Sequence, residues 1–174
     1  MSQGRSFLLL LVFACIGLFL SPQQTVLAAA MIVETDIAVA AADGLCSLVE
    51  AIDNANADAA VHADCPAGAG ADIITLTADI VLTAVAATPG VGATGLPSIT
   101  SDITIEGGGL SISRDPAAPN FRILHIDVGG VLNLNLTRIL GGNVANGFDN
   151  GGGIYNAGTL TLNQSAVQNN AVVS

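Results

Sequence analysis

Short runs that alternate apolar and polar residues recur along the chain: Ile74-Thr75-Leu76, Ile103-Thr104-Ile105, Leu132-Asn133-Leu134 and Leu160-Thr161-Leu162. Their first positions step by 29, 29 and 28 residues. A second track runs through Leu82, Leu110, Ile139 and Val167, with steps of 28, 29 and 28. A third joins Ile126 to Ile154, again 28 apart. Strict alternation marks a strand with one buried face. Three buried tracks per period predict three strands per turn of a coil, and such a coil buries its inward residues only by stacking on the next, as solenoids do. Stacked coils pair as parallel strands about 4.8 Å apart. The expected fold is all-β, a parallel β-helix of about four coils with a period of 28–29 residues. A β-sandwich spaces its strands at similar intervals, but it gives no reason for a repeated register.

The polar interruptions fit that design. Gly107-Gly108-Gly109, Gly129-Gly130, Gly141-Gly142 and Gly151-Gly152-Gly153 separate the runs. Asn143, Asn146, Asn150, Asn156, Asn169 and Asn170 cluster at the same places. Asn tolerates left-handed turns, and stacked Asn side chains form hydrogen-bonded ladders. The Ala-, Gly-, Thr- and Pro-rich stretch Ala84 to Gly95 reads as a loop leaving the helix between coils, and Ser113 to Asn120 as a second.

Ahead of the coils the pattern changes. Ile32-Val33 reads as a first strand. Ser47 followed by Glu50 is a capping box, and Leu48, Ile52 and Ala55 share one helical face. These residues predict a short amphipathic helix over Leu48 to Ala57. The first coil of a solenoid exposes an apolar end and open strand edges, which need a cover. The helix is the candidate cap, so 31–70 reads as an N-terminal cap and 71–174 as coils.

The N-terminus adds an address. Arg5 precedes an apolar run from Phe7 to Leu20, then Ser21-Pro22-Gln23-Gln24 and Ala28-Ala29-Ala30. That order predicts a secretory signal peptide over 1–30, cut after Ala30. A membrane span needs about 20 apolar residues, more than this run supplies. Val12-Phe13-Ala14-Cys15 is a poor lipoprotein site, because the apolar region before it is too short. Cys46 and Cys65 are the cysteines left after such a cut, and an even pair in an exported chain predicts a disulfide. The alternative is a metal, but two Cys with only His62 nearby make a poor zinc pattern.

Charge and composition exclude some roles. The chain has 14 acidic residues and 4 basic ones, all Arg. Arg114, Arg122 and Arg138 are the cations beyond residue 30, which leaves that part at −11. So acidic a surface repels phosphate backbones and anionic lipid, so no nucleic-acid partner is expected. Trp is absent and aromatics are 3% of the chain, so the core must be built from small and β-branched residues in thin layers.

Cys46-Ser47-Leu48-Val49-Glu50-Ala51-Ile52, followed by Asn54-Ala55-Asn56, resembles the CSLREA domain found near the N-terminus of large exported bacterial β-helix proteins. Cys65, Asp72-Ile73-Ile74-Thr75-Leu76 and Ile103-Thr104-Ile105-Glu106-Gly107 are similar to that family's progression. Gly151-Gly152-Gly153-Ile154-Tyr155-Asn156 looks like the repeats of polymorphic outer membrane and autotransporter-like surface proteins. Two positions depart. Val49 stands where the family has Arg, losing any ion pair that Arg makes. Val167-Gln168-Asn169-Asn170 stands where the outer membrane repeats prefer Phe first. The resemblance implies a right-handed β-helix in a secreted or cell-surface setting, and carries over no catalytic residue.

Candidate chemistry is thin. Parallel β-helices host polysaccharide lyases and hydrolases, which is an analogy of fold. Glycoside hydrolysis needs two carboxylates across one groove. Asp79, Asp102, Glu106, Asp115, Asp127 and Asp149 fall mainly at strand ends and turns. An arrangement bringing Asp127, Asp149 and Arg122 or Arg138 into one groove would favour an enzyme. His125 lies between Leu124 and Ile126, so alternation predicts an outward, exposed and inert side chain. His62, in the cap, reads the same way. Asp127, Asp149 and Asn150 offer oxygen ligands to calcium, but the nonapeptide calcium repeat is absent. Asn135-Leu136-Thr137 and Asn163-Gln164-Ser165 match the glycosylation pattern and read as turn positions on the coils. No catalytic residue, cofactor or metal is expected. The named features are the Cys46–Cys65 disulfide and the Ser47/Glu50 capping box.

The chain closes on Ala171-Val172-Val173-Ser174 without a cap, barrel or anchor pattern. The expectation is a truncated piece of a longer surface protein, or one pairing end to end through its last coil. The functional expectation is a non-catalytic, adhesin-like or structural β-helix passenger with host-surface or polysaccharide ligands. The alternative is a pectin-lyase-like carbohydrate-active enzyme or a polysaccharide-binding module.

Overall fold

A computed structural model describes residues 27–145 and 150–173. The apolar run Phe7 to Leu20, Cys15, Asn146, Asp149 and Ser174 lie outside them. Every strand ladder in the described residues is parallel. The first and longest sheet stacks β1 (Ala30–Val33), β2 (Ala71–Leu76), β4 (Asp102–Glu106), β7 (Val131–Asn135) and β11 (Thr159–Asn163), in that order. The second stacks β3 (Ile80–Leu82), β5 (Ser111–Arg114), β8 (Arg138–Leu140) and β12 (Ala166–Gln168). Two shorter sheets pair β6 (Leu124–Ile126) with β10 (Ile154–Asn156), and β9 (Asn143–Ala145) with β13 (Ala171–Val173). The chain is a parallel β-solenoid, with β2, β4, β7 and β11 at successive turns and β1 laid on the first of them.

Inward residues stack in columns. Met31, Ile74, Ile105, Leu134 and Leu162 are paired in register, and so are Asp72, Ile103, Leu132 and Leu160. Ile74, Ile103, Ile105, Leu132 and Leu134 are fully buried. Burying one such side chain stabilises the fold by roughly 1.5–3 kcal/mol. The last turn has nothing stacked beyond it among the described residues, and Leu162 and Val167 are exposed there.

The register departs from the sequence spacing in three places. Ile74 pairs with Ile105, so Asp72 and not Ile74 lies in register with Ile103. On the second sheet Ile80 pairs with Ile112 and Ile112 with Ile139, so Leu110 is off the ladder, in the turn before β5. On the third sheet Ile154 pairs with Leu124 and Asn156 with Ile126. The cause is unequal connections: Ile74 lies 31 residues before Ile105 and Ile105 lies 29 before Leu134, and the turns differ as well. Gly107 to Leu110 joins β4 to β5, whereas Leu136-Thr137 alone joins β7 to β8. The expected pairing of Ile103 with Leu132 holds, and from β7 onward the turns match, so Leu132 with Leu160 and Ile139 with Val167 hold too.

Those matched turns use left-handed backbone. Leu136 and Gln164 have φ of 48° and 51°. Thr137 Oγ1 donates to the Asn135 carbonyl (2.9 Å) and Ser165 Oγ to the Asn163 carbonyl (3.1 Å). The two glycosylation-like triplets are therefore turn residues stacked on one another. Glycine is required where Gly130 and Gly158 stack. A Cβ on Gly158 would lie 2.3 Å from the Gly130 carbonyl oxygen, and one on Gly130 2.2 Å from that of Ile99. Of the asparagines expected to stack, Asn143 donates to Asn120 Oδ1 (3.0 Å) and Asn170 clasps backbone. Asn170 accepts from Gly142 N–H (2.8 Å) and donates to the carbonyls of Ile139 (3.1 Å) and Gln168 (2.9 Å).

Ala84 to Gly95 folds back on itself through an antiparallel bridge between Ala87 and Thr94. β5 runs through Arg114, so the second loop begins at Asp115 and not at Ser113.

The cap helix α1 spans Leu48–Ala57, as its periodicity predicts. Ser47 Oγ accepts from Glu50 N–H (3.3 Å) and Glu50 Oε2 from Ser47 N–H (2.9 Å), which closes the capping box. Asp58 ends the helix in left-handed conformation. Leu48, Ile52 and Ala55 are buried, and the helix packs on β1, β2 and β4. A disulfide joins Cys46 to Cys65, with Cα atoms 4.7 Å apart.

Candidate functional site

Two polar clusters are built into this frame, one in the cap and one on the third sheet. In the cap, Glu50 Oε1 also accepts from Ala41 N–H (3.0 Å), tying the segment before the helix to it. Asn54 is fully buried. Its Oδ1 accepts from His62 N–H (2.7 Å), and its Nδ2 donates to the carbonyls of His62 (2.9 Å), Cys65 (3.2 Å) and Pro66 (3.0 Å). Asn56 reaches the coils: its Nδ2 donates to the Ser98 carbonyl (2.8 Å) and its Oδ1 accepts from Thr100 N–H (2.8 Å). His62 is half-buried, with Nε2 3.1 Å from Asp53 Oδ2. Asn54 and Asn56 were visible only as part of a resemblance. The signal that a buried Asn serves backbone groups is its place on the apolar face of a capped helix.

On the third sheet, Tyr155 pairs with His125, and the Ile99–Ile126 bridge sets Ser98 against His125 on the preceding coil. Ser98, His125 and Tyr155 thus occupy equivalent positions on three coils. Ser98 Oγ lies 2.7 Å from His125 Nδ1, and the His125 and Tyr155 ring centroids are 5.5 Å apart. The Arg122 guanidinium sits 5.2 Å from the Tyr155 ring centroid and donates to the Val91 carbonyl. The expectation of an exposed His125 is wrong: it is 4% exposed. Ser98 and Tyr155 flank it on either side, a contact that alternation within one strand does not reveal. Burial pushes the imidazole below its ordinary value; the Asp127 carboxylate opposes this and the Arg122 charge reinforces it.

Chemically, this is a neutral imidazole hydrogen-bonded to a hydroxyl beside a buried cation. It is not a nucleophilic triad, in which a carboxylate orients the imidazole's other nitrogen. Asp127 instead accepts from its own neighbour Val128 N–H (2.7 Å). Several other carboxylates of the coils accept hydrogen bonds from neighbouring strands and turns. Asp79 accepts from Ser111 N–H (2.7 Å) and Oγ (2.8 Å), which keeps it below the usual carboxylate range, with Arg138 helping. Glu106 accepts from Asn135 (2.7 Å) and Asp115 from Ala117 N–H (2.7 Å). Arg114 donates to the carbonyls of Gly141, Asp115 and Ala118. Arg138 belongs to the second sheet while Asp127 follows the third, whereas Arg122 and Asp127 both act on His125. Among the described residues no three His, Cys, Asp or Glu converge on a point that could hold a metal.

The outer side of the first sheet, which has the most strands, is a regular surface. Thr104, Asn133 and Thr161 stack along it, and beside them Glu106, Asn135 and Asn163. Asn133 Nδ2 donates to Thr104 Oγ1 at 3.4 Å. Hydroxyls and amides spaced by the strand repeat line this side from β4 to β11, while exposed Ile73 and Ile32 continue it on β2 and β1.

The chain matches no protein-family model, no curated protein and no solved structure.

Proposed function

We propose that the protein is an exported surface β-helix that binds or presents without catalysis, with the outer side of its first sheet as the contact face. The observation that carries this reading is the stacked Thr104-Asn133-Thr161 and Glu106-Asn135-Asn163 array, joined to a parallel solenoid. Such an array offers donors and acceptors about 4.8 Å apart along the stack, a spacing suited to the hydroxyls of an extended polysaccharide. The leader-like N-terminus and the disulfide support export, since such bridges persist in oxidising compartments. The runner-up, a polysaccharide lyase or hydrolase, would draw on the Ser98–His125 pair beside Arg122.

The test incubates the protein with immobilised neutral and acidic polysaccharides and measures both retention and release of new sugar ends. Retention that falls at least tenfold in an Asn133→Ala/Thr161→Ala variant, with no new ends, supports the reading. Retention unchanged by the variant removes the contact face, and turnover lost in His125→Ala replaces the reading with the enzyme.

A further inference from the structure

Asp72 is a carboxylate in a column otherwise made of Ile103, Leu132 and Leu160. It is 1% exposed. Its Oδ1 accepts from Ala69 N–H (2.9 Å) and Ala29 N–H (3.1 Å). Its Oδ2 is buried without a hydrogen-bond partner. A buried carboxylate with an idle oxygen is costly unless a positive charge meets it. The chain has no Lys. Arg114 is engaged with Gly141, Asp115 and Ala118, Arg122 with Val91 and Tyr155, and Arg138 lies near Asp79. His62 faces Asp53 and His125 faces Ser98, so among the described residues the remaining source of a cation is a chain terminus. Of the two N–H groups on Asp72, Ala69 (2.9 Å) lies inside the chain, and Ala29 (3.1 Å) lies where a new N-terminus can form.

We propose that export processing cuts between Ala28 and Ala29, and that the new α-ammonium of Ala29 pairs with Asp72 to lock β1 onto β2. This rests on the export reading above. The cut is a hydrolysis by a signal peptidase. The Ala28 C–N bond breaks, the water oxygen completes the Ala28 carboxylate, and both water protons end on the Ala29 nitrogen. One N–H donor becomes three, enough to serve both carboxylate oxygens.

Two further observations agree. The Ala29 carbonyl accepts from Ile73 N–H (2.8 Å), and Ala30 opens β1, so both residues belong to the fold. A cut after Ala30 would delete the Ala29 contacts and leave Asp72 with one donor. Leu27 and Ala28 are exposed, so their removal strips nothing from the core. Val26-Leu27-Ala28 is a variant of the small-x-small pattern that precedes such cuts.

The full chain is expressed with its own leader in an exporting bacterial host, and the product is fractionated, weighed intact and sequenced from its N-terminus. The expected first residue is Ala29. An exported product starting at Met31, or at any other residue, overturns the proposal alone. An uncut chain held inside the cell overturns the export reading and the proposal with it. The ion pair is tested separately. Without Lys, the processed protein carries one primary amine, so an amine-acylating ester reports on that amine alone. The folded protein should acylate at least about tenfold more slowly than its Asp72→Asn variant, the factor set by one unit of pKa. If that variant does not fold, the protein unfolded in urea is the reference. Equal rates overturn the pairing.

Discussion

Replacing Asn54 by Ala tests whether the cap is held by polar groups as much as by its apolar face. The side chain makes four contacts with the backbone of His62, Cys65 and Pro66, at 2.7–3.2 Å. Its two N–H groups serve three carbonyls, so one bond is shared, and three net bonds are lost. At about 1 kcal/mol for each bond, the loss is about 3 kcal/mol. Part of the exposed loop backbone recovers water, while the carbonyl of buried Cys65 does not, so these corrections nearly offset. For a domain of this size about 3 kcal/mol lowers the melting temperature by roughly 6–12 °C. Far-ultraviolet circular dichroism in urea and on heating reads both quantities. Asn54→Asp keeps the shape and the acceptor but sets a carboxylate against three carbonyls, so it should cost at least as much as Ala. A loss below about 1 kcal/mol for Ala, or an Asp variant as stable as the wild type, would refute the reasoning.

Other outcomes follow from the same structure. Reducing the Cys46–Cys65 bridge, or replacing both residues by Ala, should cost about 3 kcal/mol in the chain-entropy model; unchanged urea midpoints with and without reductant would count against it. His125 has a folded value below its unfolded value near 6.5. The unfolded chain therefore takes up the proton first, and stability falls as pH drops from about 6.5 through the lowered value, and is complete above that window. Urea melts across the window should show this slope in the wild type and lose it in His125→Asn. Gly158→Ala should destabilise by about 2 kcal/mol or more, because its Cβ meets backbone that cannot move aside; thermal melting of the folded variant decides it.

The solenoid, its parallel stacking and the cap helix were legible because each depends on a local pattern. Alternation marks strands whatever they pair with, and Ser47, Glu50 and the Leu48-Ile52-Ala55 face define a helix by themselves. Register was legible where the connections between strands have equal length, as for Ile103 with Leu132 on the first sheet and from β7 to β11. Upstream, the longer stretch between β2 and β4 shifts the ladder and misplaces Ile74, and the Gly107–Leu110 turn misplaces Leu110. His125 was misjudged for a related reason. Alternation reports which side of a strand a residue takes, while its burial comes from Ser98 and Tyr155 on neighbouring coils. Asp72 was hidden by the same shift, since a slipped register puts Ile74 where the carboxylate stands.

The Asn56 clasp onto Ser98 and Thr100 spans 42 and 44 residues, and Ala29 meets Asp72 across 43. The segments of this end are therefore delivered well ahead of their partners, whether the chain emerges from the ribosome or from an export channel. At roughly 5–20 residues per second of synthesis, the cap waits on the order of seconds before it can close. Until then its helix is an isolated stretch too short to hold by itself. Folding of this end is paced by chain delivery, and the nascent cap is an open hydrophobic surface for a chaperone to meet.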